Sequence, residues 1–177
     1  VFVSDHGEEF WEHGACGHVT HLYDNTLSVP LLIRSPGHNP APRRVSRMVA
    51  LSDVFATVME AMGAPLPPNV DSYSLLPLMA NGNDGGLYRR DVVISELVQY
   101  DSELAAKTGL DVEWARHSVR RDGEKYIASD RDWIVACAAK GLSPEREGPA
   151  VVTEEWYDLI EDPLETNNRS EIGRAHV

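Results

Sequence analysis

Residues 1–18 read VFVSDHGEEFWEHGACGH, and this stretch decides how the rest of the chain is interpreted. It opens with a short apolar run from Val1 to Ser4, which is typical of a buried parallel strand that delivers polar side chains at its carboxyl end. Asp5 and His6 follow directly, and Gly7 permits the sharp turn that would let a carboxylate oxygen and an imidazole nitrogen face one cation. The sequence therefore predicts a divalent metal site with Asp5 and His6 as ligands.

The residues after this strand form a segment rich in histidine, glutamate and glycine. From Glu8 to Thr20 the chain has neither helical nor strand periodicity, which indicates an ordered functional loop. Within it His18 can donate a hydrogen bond to an anionic oxygen of a substrate bound at the metal, so we predict a catalytic role for His18. The supporting or substrate-lining candidates are His13, His21 and Glu9, and either Glu8 or Glu9 could orient the His18 ring.

The same segment also allows a different metal site. His13, Cys16, His18 and His21 offer four nitrogen and sulfur ligands at short spacing, which suits a structural zinc ion. On this hypothesis the chain would be a non-catalytic zinc-binding interaction module.

Composition limits the partners and leaves the compartment open. The 177 residues carry a net charge of −12, and the basic residues are scattered, so a nucleic-acid partner is not expected. No window approaches the roughly 20 apolar residues that a membrane span requires. Cys16 and Cys137 lie far apart and do not indicate a disulfide framework. Periplasmic, secreted and cytoplasmic locations are all compatible with the sequence, and it leaves the oligomeric state open.

The strongest helix signal follows the first strands. Ser52 is a natural N-cap, Asp53 favours the positive end of the helix dipole, and Gly63 with Pro65 supplies the stop. The apolar residues between them recur at spacings of three and four, which predicts a buried stripe formed by Val54, Phe55, Val58, Met59 and Met62.

The last third of the chain changes character. Short strand-like segments cover Val92–Val98, His117–Arg121, Lys125–Ala128 and Trp156–Leu159, with a hairpin turn predicted at Arg121-Asp122-Gly123-Glu124. We therefore expect a small antiparallel α+β subdomain over residues 91–171, next to an α/β domain over residues 1–90. Residues 172–177, IGRAHV, follow no pattern of their own and are interpreted as a non-native tail.

Several motifs in fixed order resemble the sulfatases of the alkaline phosphatase superfamily. SDHGEEFWEHG and GHVTHLYDNTLSVPLLIRSPG are similar to the segment in which Asp-His or Asp-Asn binds the metal and a basic residue twelve positions later binds sulfate. His18 takes the position that many sulfatases fill with lysine. The resemblance continues through VALSDVFATVMEAMGAPLP, DSYSLLPLM, VISE, RHSVRRDGEKYI and WYDLIEDPLETNN. It implies the C-terminal part of an alkaline-phosphatase-like α/β/α domain, followed by the small antiparallel sheet.

This resemblance implies an arylsulfatase-like sulfuric ester hydrolase acting on a sulfated small molecule or carbohydrate. Oxygen-rich ligand shells favour calcium as the metal, and the histidine ligand leaves manganese, magnesium or zinc as alternatives. The family nucleophile is a formylglycine made in a Cys/Ser-x-Pro/Ala-x-Arg motif, which this sequence lacks. We therefore expect the nucleophile in an N-terminal part of a longer protein, and expect this C-terminal fragment to be inactive alone. Histidine at position 18 also fits an alternative within the superfamily, a phosphoester or phosphonate hydrolase or a phosphoethanolamine transferase.

Overall fold

The computed structural model describes residues 1–18, 21–35, 42, 44–80, 88, 90–100, 113–129 and 153–170. The chain divides into two compact units. The first unit comprises Val1–Asp5 and Pro30–Val93, and the second comprises His6–Val29 and Ile94–Val177. The domain boundaries 1–90, 91–171 and 172–177 stay predictions. In the structure, the histidine-rich segment groups with the C-terminal strands.

The described elements are mixed α and β. In chain order they are β1 (Phe2–Val3), β2 (Glu9–Phe10), β3 (Cys16–Gly17), α1 (Asp24–Leu27), β4 (Leu31–Leu32), α2 (Asp53–Ala61), α3 (Leu76–Met79), β5 (Val93–Tyr100), β6 (Glu113–Arg121), β7 (Glu124–Ser129) and β8 (Thr153–Asp158). Among the described residues, no helix has the length and apolar character needed to cross a membrane. Cys137 and most of the segment 101–113 lie outside the described residues.

In the first unit, strand β1 forms where the apolar run predicts it, but its environment differs from the prediction. It pairs antiparallel with β4, with Phe2 opposite Leu32 and Val3 opposite Leu31. Phe2 is 66% exposed and Leu32 is 60% exposed. The prediction of a buried parallel strand is therefore wrong for the described structure, because an antiparallel pair of this length buries one face and leaves the other open.

Helix α2 begins at Asp53 as predicted, but its buried face is not the predicted one. Asp53, Ala56 and Thr57 are buried, whereas Phe55, Val58 and Met62 are exposed among the described residues. The predicted apolar stripe is therefore wrong as a description of the core. Polar contacts orient the helix, since the Thr57 hydroxyl donates to the Asp53 carbonyl and accepts from the Leu75 amide. The apolar core of this unit lies beside it and contains Leu75, Leu78 and Tyr88, with Leu31, Ile33 and Val49 packed against them.

Ser52 occupies the predicted N-cap position of α2, but its side chain does not cap the helix. Ser52 has helical dihedral angles and makes no side-chain cap hydrogen bond. The Asp53 carboxylate bonds outside the helix, because its Oδ2 accepts the amide of Ala50 at 2.9 Å and its Oδ1 accepts the amide of Tyr73 at 2.8 Å. One carboxylate thus joins the start of the helix to the segment that follows it.

Asp53 forms a buried, two-pronged ion pair with Arg90. Nη2 of Arg90 donates to Oδ1 at 2.8 Å, Nε donates to Oδ2 at 3.0 Å, and the Tyr88 hydroxyl donates to Oδ2 at 2.7 Å. Burial raises the pKa of Asp53, but the donors from Arg90, the backbone and Tyr88 outweigh it and hold the pKa below its ordinary value. Burial and its bond to Asp53 raise the pKa of Tyr88.

The second unit contains a four-stranded sheet in the order β5-β6-β7-β8. Strands β6 and β7 form the predicted hairpin, in which Arg121 lies opposite Glu124. Asp122 and Gly123 have φ angles of 48° and 91°, as a two-residue hairpin turn of the type I′ class requires. The apolar core of this unit is Tyr23, Ile127, Tyr157 and Leu159.

Replacing Asp53 with alanine tests the buried ion pair. We expect Asp53→Ala to lower the free energy of unfolding by about 3–5 kcal/mol at neutral pH, because the buried Arg90 would lose its two shortest hydrogen bonds and keep the longer contacts to the exposed Asp71. Because folding lowers the pKa of Asp53, this carboxylate takes up a proton at a higher pH in the unfolded chain than in the folded chain. The wild type therefore keeps this stabilisation above the ordinary value of 3.8 and loses it as the pH falls further.

Urea unfolding at neutral pH and under progressively more acidic conditions measures both effects. Asp91→Ala is the matched control, because Asp91 is largely exposed and its pair with Arg47, at 3.9 Å, is long. Equal stability losses for the two variants would contradict the assignment.

Candidate functional site

The histidine-rich segment forms a β-hairpin. Glu9 pairs with Gly17 and Phe10 pairs with Cys16 in an antiparallel register. The turn is closed by the amide of Trp11 donating to the carbonyl of Ala15 at 2.8 Å, and Trp11 adopts a positive φ of 74°. The prediction of an ordered segment thus holds for the described part, but its local structure is a short two-stranded ribbon, whose strands are too short to give a periodic sequence signal.

His6 and His18 meet beside this hairpin. Their rings stack with centroids 3.9 Å apart and an angle of 24° between the planes. Nδ1 of His18 lies 3.2 Å from both carboxylate oxygens of Glu8. The ligand atoms of His6, Glu8 and His18 all lie within 4.8 Å of one another. Two imidazoles and a carboxylate therefore converge at one exposed point of the second unit.

The tautomer of His6 follows from its hydrogen bond. Nδ1 of His6 lies 2.9 Å from the carbonyl oxygen of Gly7, and a carbonyl only accepts, so Nδ1 carries the proton. Histidines that bind metals commonly donate one ring nitrogen in this way and coordinate through the other. A role of His6 as a metal ligand would therefore use Nε2.

Glu9 is a buried hub and lies on the opposite face of the ribbon from Glu8. Its carboxylate is fully buried and accepts from the amide of His13 at 3.0 Å and from Nδ1 of His21 at 2.8 Å. Burial raises the pKa of Glu9, but the hydrogen bonds from His21 and from backbone amides outweigh it and keep the pKa below its ordinary value. Glu9 therefore supports the hairpin through His13 and His21, whereas Glu8 makes the contact with His18.

His13 and His21 are used within the fold. The His13 ring stacks on Tyr23 with centroids 3.7 Å apart, and its Nε2 lies 3.0 Å from the carbonyl oxygen of Leu164. Cys16 is exposed and free. Within the described parts of the chain, the convergent metal-type group is His6, Glu8 and His18, so the proposed zinc set of His13, Cys16, His18 and His21 does not form. The short sequence spacing did not reveal that the hairpin turns these side chains to opposite faces.

Backbone contact with α1 positions the segment that carries the site. The amide of Gly7 donates to the carbonyl of Thr26 at 2.8 Å, and the amide of Glu8 donates to the carbonyl of Asn25 at 3.1 Å. A β-carbon at position 7 would lie 2.0 Å from the carbonyl oxygen of Asn25. Glycine is therefore required at position 7 by this close approach.

A buried charge cluster fixes α1 in turn. The ammonium group of Lys125, which is 1% exposed, lies 3.0 Å from Oδ1 of Asp24 and 2.8 Å from Oε1 of Glu165. Nη1 of Arg120 donates to Oδ2 of Asp24 at 2.6 Å. Burial is the main cause that raises the pKa of Glu165. The C-terminal strands thus anchor the helix that supports the site, a role that sequence reasoning missed because Lys125 and Asp24 are 101 positions apart.

Asp5 and His6 are joined by a peptide bond, but Asp5 belongs to the first compact unit and His6 to the second. The roles of Asp5 and His6 as metal ligands and of His18 as the catalytic residue stay predictions. The structure brings His6 and His18 together and adds Glu8, which the sequence named only as one of two residues that could orient His18.

Comparison with known proteins gives the class of this chain. Residues 1–64 match the family model of the sulfatases. A solved 2-O GAG sulfatase superposes with a TM-score of 0.69 at 21% identity, covering 98% of this chain and 33% of that one. A second structure, solved with its substrate D-glucosamine-2-N,6-O-disulfate, gives a TM-score of 0.64 at 19% identity, covering 98% of this chain and 30% of the other. The fold is therefore the mixed α/β fold of the sulfatases, which is alkaline-phosphatase-like.

Curated relatives extend the match along the chain. Human arylsulfatase K is 41% identical over 168 residues, covering 95% of this chain and 27% of the relative. Bovine arylsulfatase K is 42% identical over 168 residues, covering 95% of this chain and 26% of the relative. The multifunctional alkaline phosphatase superfamily protein PehA of Trinickia caryophylli is 32% identical over 83 residues, covering 46% of this chain and 16% of the relative. The chain belongs to the sulfatase family, and it spans about a quarter of the length of the arylsulfatase K relatives.

Replacing Gly7 with alanine tests the packing of the site segment against α1. We expect Gly7→Ala to lower the free energy of unfolding by about 3 kcal/mol or more, because the new methyl group would overlap the Asn25 carbonyl and displace the backbone. Thermal and urea unfolding measure the change.

Gly14→Ala is the matched control. Gly14 has a φ of 85°, and no atom lies within 4 Å of the place that a new methyl group would occupy, so this substitution tests backbone strain without a clash. We expect a smaller loss, of about 1 kcal/mol. A Gly7 variant no less stable than the Gly14 variant would contradict the packing argument.

Proposed function

We propose that this chain contributes the metal-binding and oxyanion-binding part of a sulfuric ester hydrolase. The observation that supports the proposal is the convergence of His6 and His18 at one exposed point, on a hairpin that belongs to the sulfatase-matching part of the chain. Asp5 and His6 act as metal ligands in this proposal, and His18 contacts the ester group.

The residues present suit a divalent cation. Nδ1 of His6 is committed to the Gly7 carbonyl, which directs Nε2 toward the ligand role. Asp5 supplies a carboxylate next to it in the chain. Carboxylate oxygens favour calcium, whereas an imidazole ligand is compatible with manganese, magnesium or zinc. Calcium remains our first proposal. When bound, the metal polarises the sulfuryl oxygens.

The role of His18 follows from its position beside His6. An imidazole in its protonated form donates from both nitrogens, so one can stay with Glu8 while Nε2 donates to an oxygen of the sulfate ester. Such a donor stabilises negative charge that develops on the ester and its leaving oxygen. The nucleophile is proposed to be a formylglycine in another part of a longer polypeptide, because the Cys/Ser-x-Pro/Ala-x-Arg pattern does not occur in these 177 residues. On this proposal the chain alone lacks turnover.

We propose a sulfated carbohydrate or small molecule as the substrate. Two structural neighbours support this class, since one is described as a 2-O GAG sulfatase and the other holds a disulfated glucosamine. Phe10 and Trp11 are 68% and 69% exposed on the same hairpin, which is compatible with a substrate that carries a ring.

A phosphoester or phosphonate hydrolase is the second candidate. The similarity to PehA, a multifunctional member of the alkaline phosphatase superfamily, favours it, as does histidine instead of lysine at position 18. Both ester classes present tetrahedral oxyanions to the same donors. The rates at which an active polypeptide containing this chain hydrolyses a matched aryl sulfate and aryl phosphate separate the two candidates. Our proposal requires faster turnover of the aryl sulfate.

Replacing His18 with alanine tests the proposed role directly. In an active polypeptide that contains this chain, we expect His18→Ala to lower kcat/KM for an aryl sulfate about 100- to 1,000-fold, the usual cost of removing one oxyanion donor. Stability should change little, because the His18 side chain is 42% exposed.

His117→Ala is the control for this experiment, because His117 is 49% exposed and forms a similar pair with Glu96. Steady-state kinetics and thermal unfolding on both variants give the comparison. A His18 variant with wild-type kcat/KM would exclude the proposed role.

A further inference from the structure

We propose that Glu8 is a positioning residue that fixes the orientation and tautomer of His18. The inference rests on the proposed function, since it matters for catalysis only if His18 contacts the substrate. Its physical content is independent of that role, because orientation and tautomer can be measured without turnover.

The hairpin register places Glu8 directly opposite His18. Glu9 pairs with Gly17 and Phe10 pairs with Cys16, so the next position outward sets residue 8 against residue 18. Side chains at directly opposed positions of an antiparallel pair lie on the same face and within contact distance. The Glu8 contact with His18 is therefore built into the ribbon.

The contact dictates which ring nitrogen carries a proton. Nδ1 of His18 lies 3.2 Å from Oε1 and 3.2 Å from Oε2 of Glu8, so one N–H is shared by both oxygens. An ionised carboxylate accepts hydrogen bonds and donates none, so Nδ1 of His18 must be the donor. With Nδ1 engaged by Glu8, Nε2 is the nitrogen that donates to the ester in the proposed function, where the ring carries a proton on both nitrogens.

A second contact fixes the plane of the ring. The His6 ring stacks on His18 with centroids 3.9 Å apart. Glu8 thus holds one edge of the His18 ring and His6 covers one face. The carboxylate of Glu8 is 40% exposed and the His18 side chain 42% exposed, so the pair stays open to a ligand from solvent.

The neighbouring carboxylate cannot fulfil this role. Glu9 is fully buried and accepts from His13 and His21 on the other face of the ribbon. The alternation of a strand therefore assigns positioning of His18 to Glu8 and support of the hairpin to Glu9.

The test is the tautomeric state of His18 in the purified chain, read from two-bond proton–nitrogen correlations of the imidazole at a pH where the ring is neutral. We expect the proton on Nδ1 in the wild type. In Glu8→Gln, where the side-chain amide no longer demands a donor, we expect the population to shift toward the Nε2–H form. Glu96→Gln is the matched control, because it alters the His117 pair, where Nδ1 lies 3.3 Å from Oε1 of Glu96, and should leave His18 unchanged.

A wild-type His18 that carries its proton on Nε2 would overturn the proposal even if the variant failed to fold. So would a Glu8→Gln variant, folded by its amide spectrum, whose His18 keeps the wild-type tautomer. In an active polypeptide containing this chain, Glu8→Gln should lower kcat about 10- to 100-fold, as is usual for residues that orient a functional histidine. If instead His18→Ala leaves the rate unchanged while the tautomer result holds, the proposed function fails and the positioning of His18 by Glu8 stands.

Discussion

The close approach of Gly7 to the carbonyl of Asn25 is the contact on which the site depends. It lets the backbone at positions 7 and 8 bond to α1, and so it sets the path of the chain between His6 and the hairpin. Helix α1 is only four residues long and would not be stable alone. Lys125 and Arg120 hold it through Asp24, and breaking such a buried group of charges typically costs about 3–5 kcal/mol.

This arrangement lets the C-terminal sheet support the segment that carries His6, Glu8 and His18. Strand β7 carries Lys125, and the turn after β8 carries Glu165, whose carboxylate also accepts the amide of Asp24. Errors in the position of either element would pass through α1 to the hairpin that holds His18. In the proposed function the sheet would thus act as a support for His18, because small displacements of a catalytic group reduce rates strongly.

The sequence predicts those features that depend on local chemistry. The Asp122-Gly123 turn and the start of α2 follow from short-range patterns, whereas the roles of His6 and His18 stay predictions. The stripe containing Phe55 and Met62 is not core, because periodicity shows that a helix has an apolar face but not which neighbour covers it. The pairing of Glu8 with His18 depends on hairpin register, and the bonds from Asp53 to Arg90 and from Lys125 to Asp24 depend on tertiary contacts that no local pattern encodes.

The central claim is that a divalent cation at His6 and an oxyanion at His18 occupy one site. The most direct measurement is a crystal structure of the protein with manganese in place of calcium and with sulfate, using the anomalous signal of manganese to locate the metal. Our account predicts one anomalous peak within coordination distance of both Nε2 of His6 and the carboxylate of Asp5. It also predicts a sulfate oxygen within hydrogen-bond distance of Nε2 of His18. A metal bound away from His6, or a sulfate with no contact to His18, would contradict it.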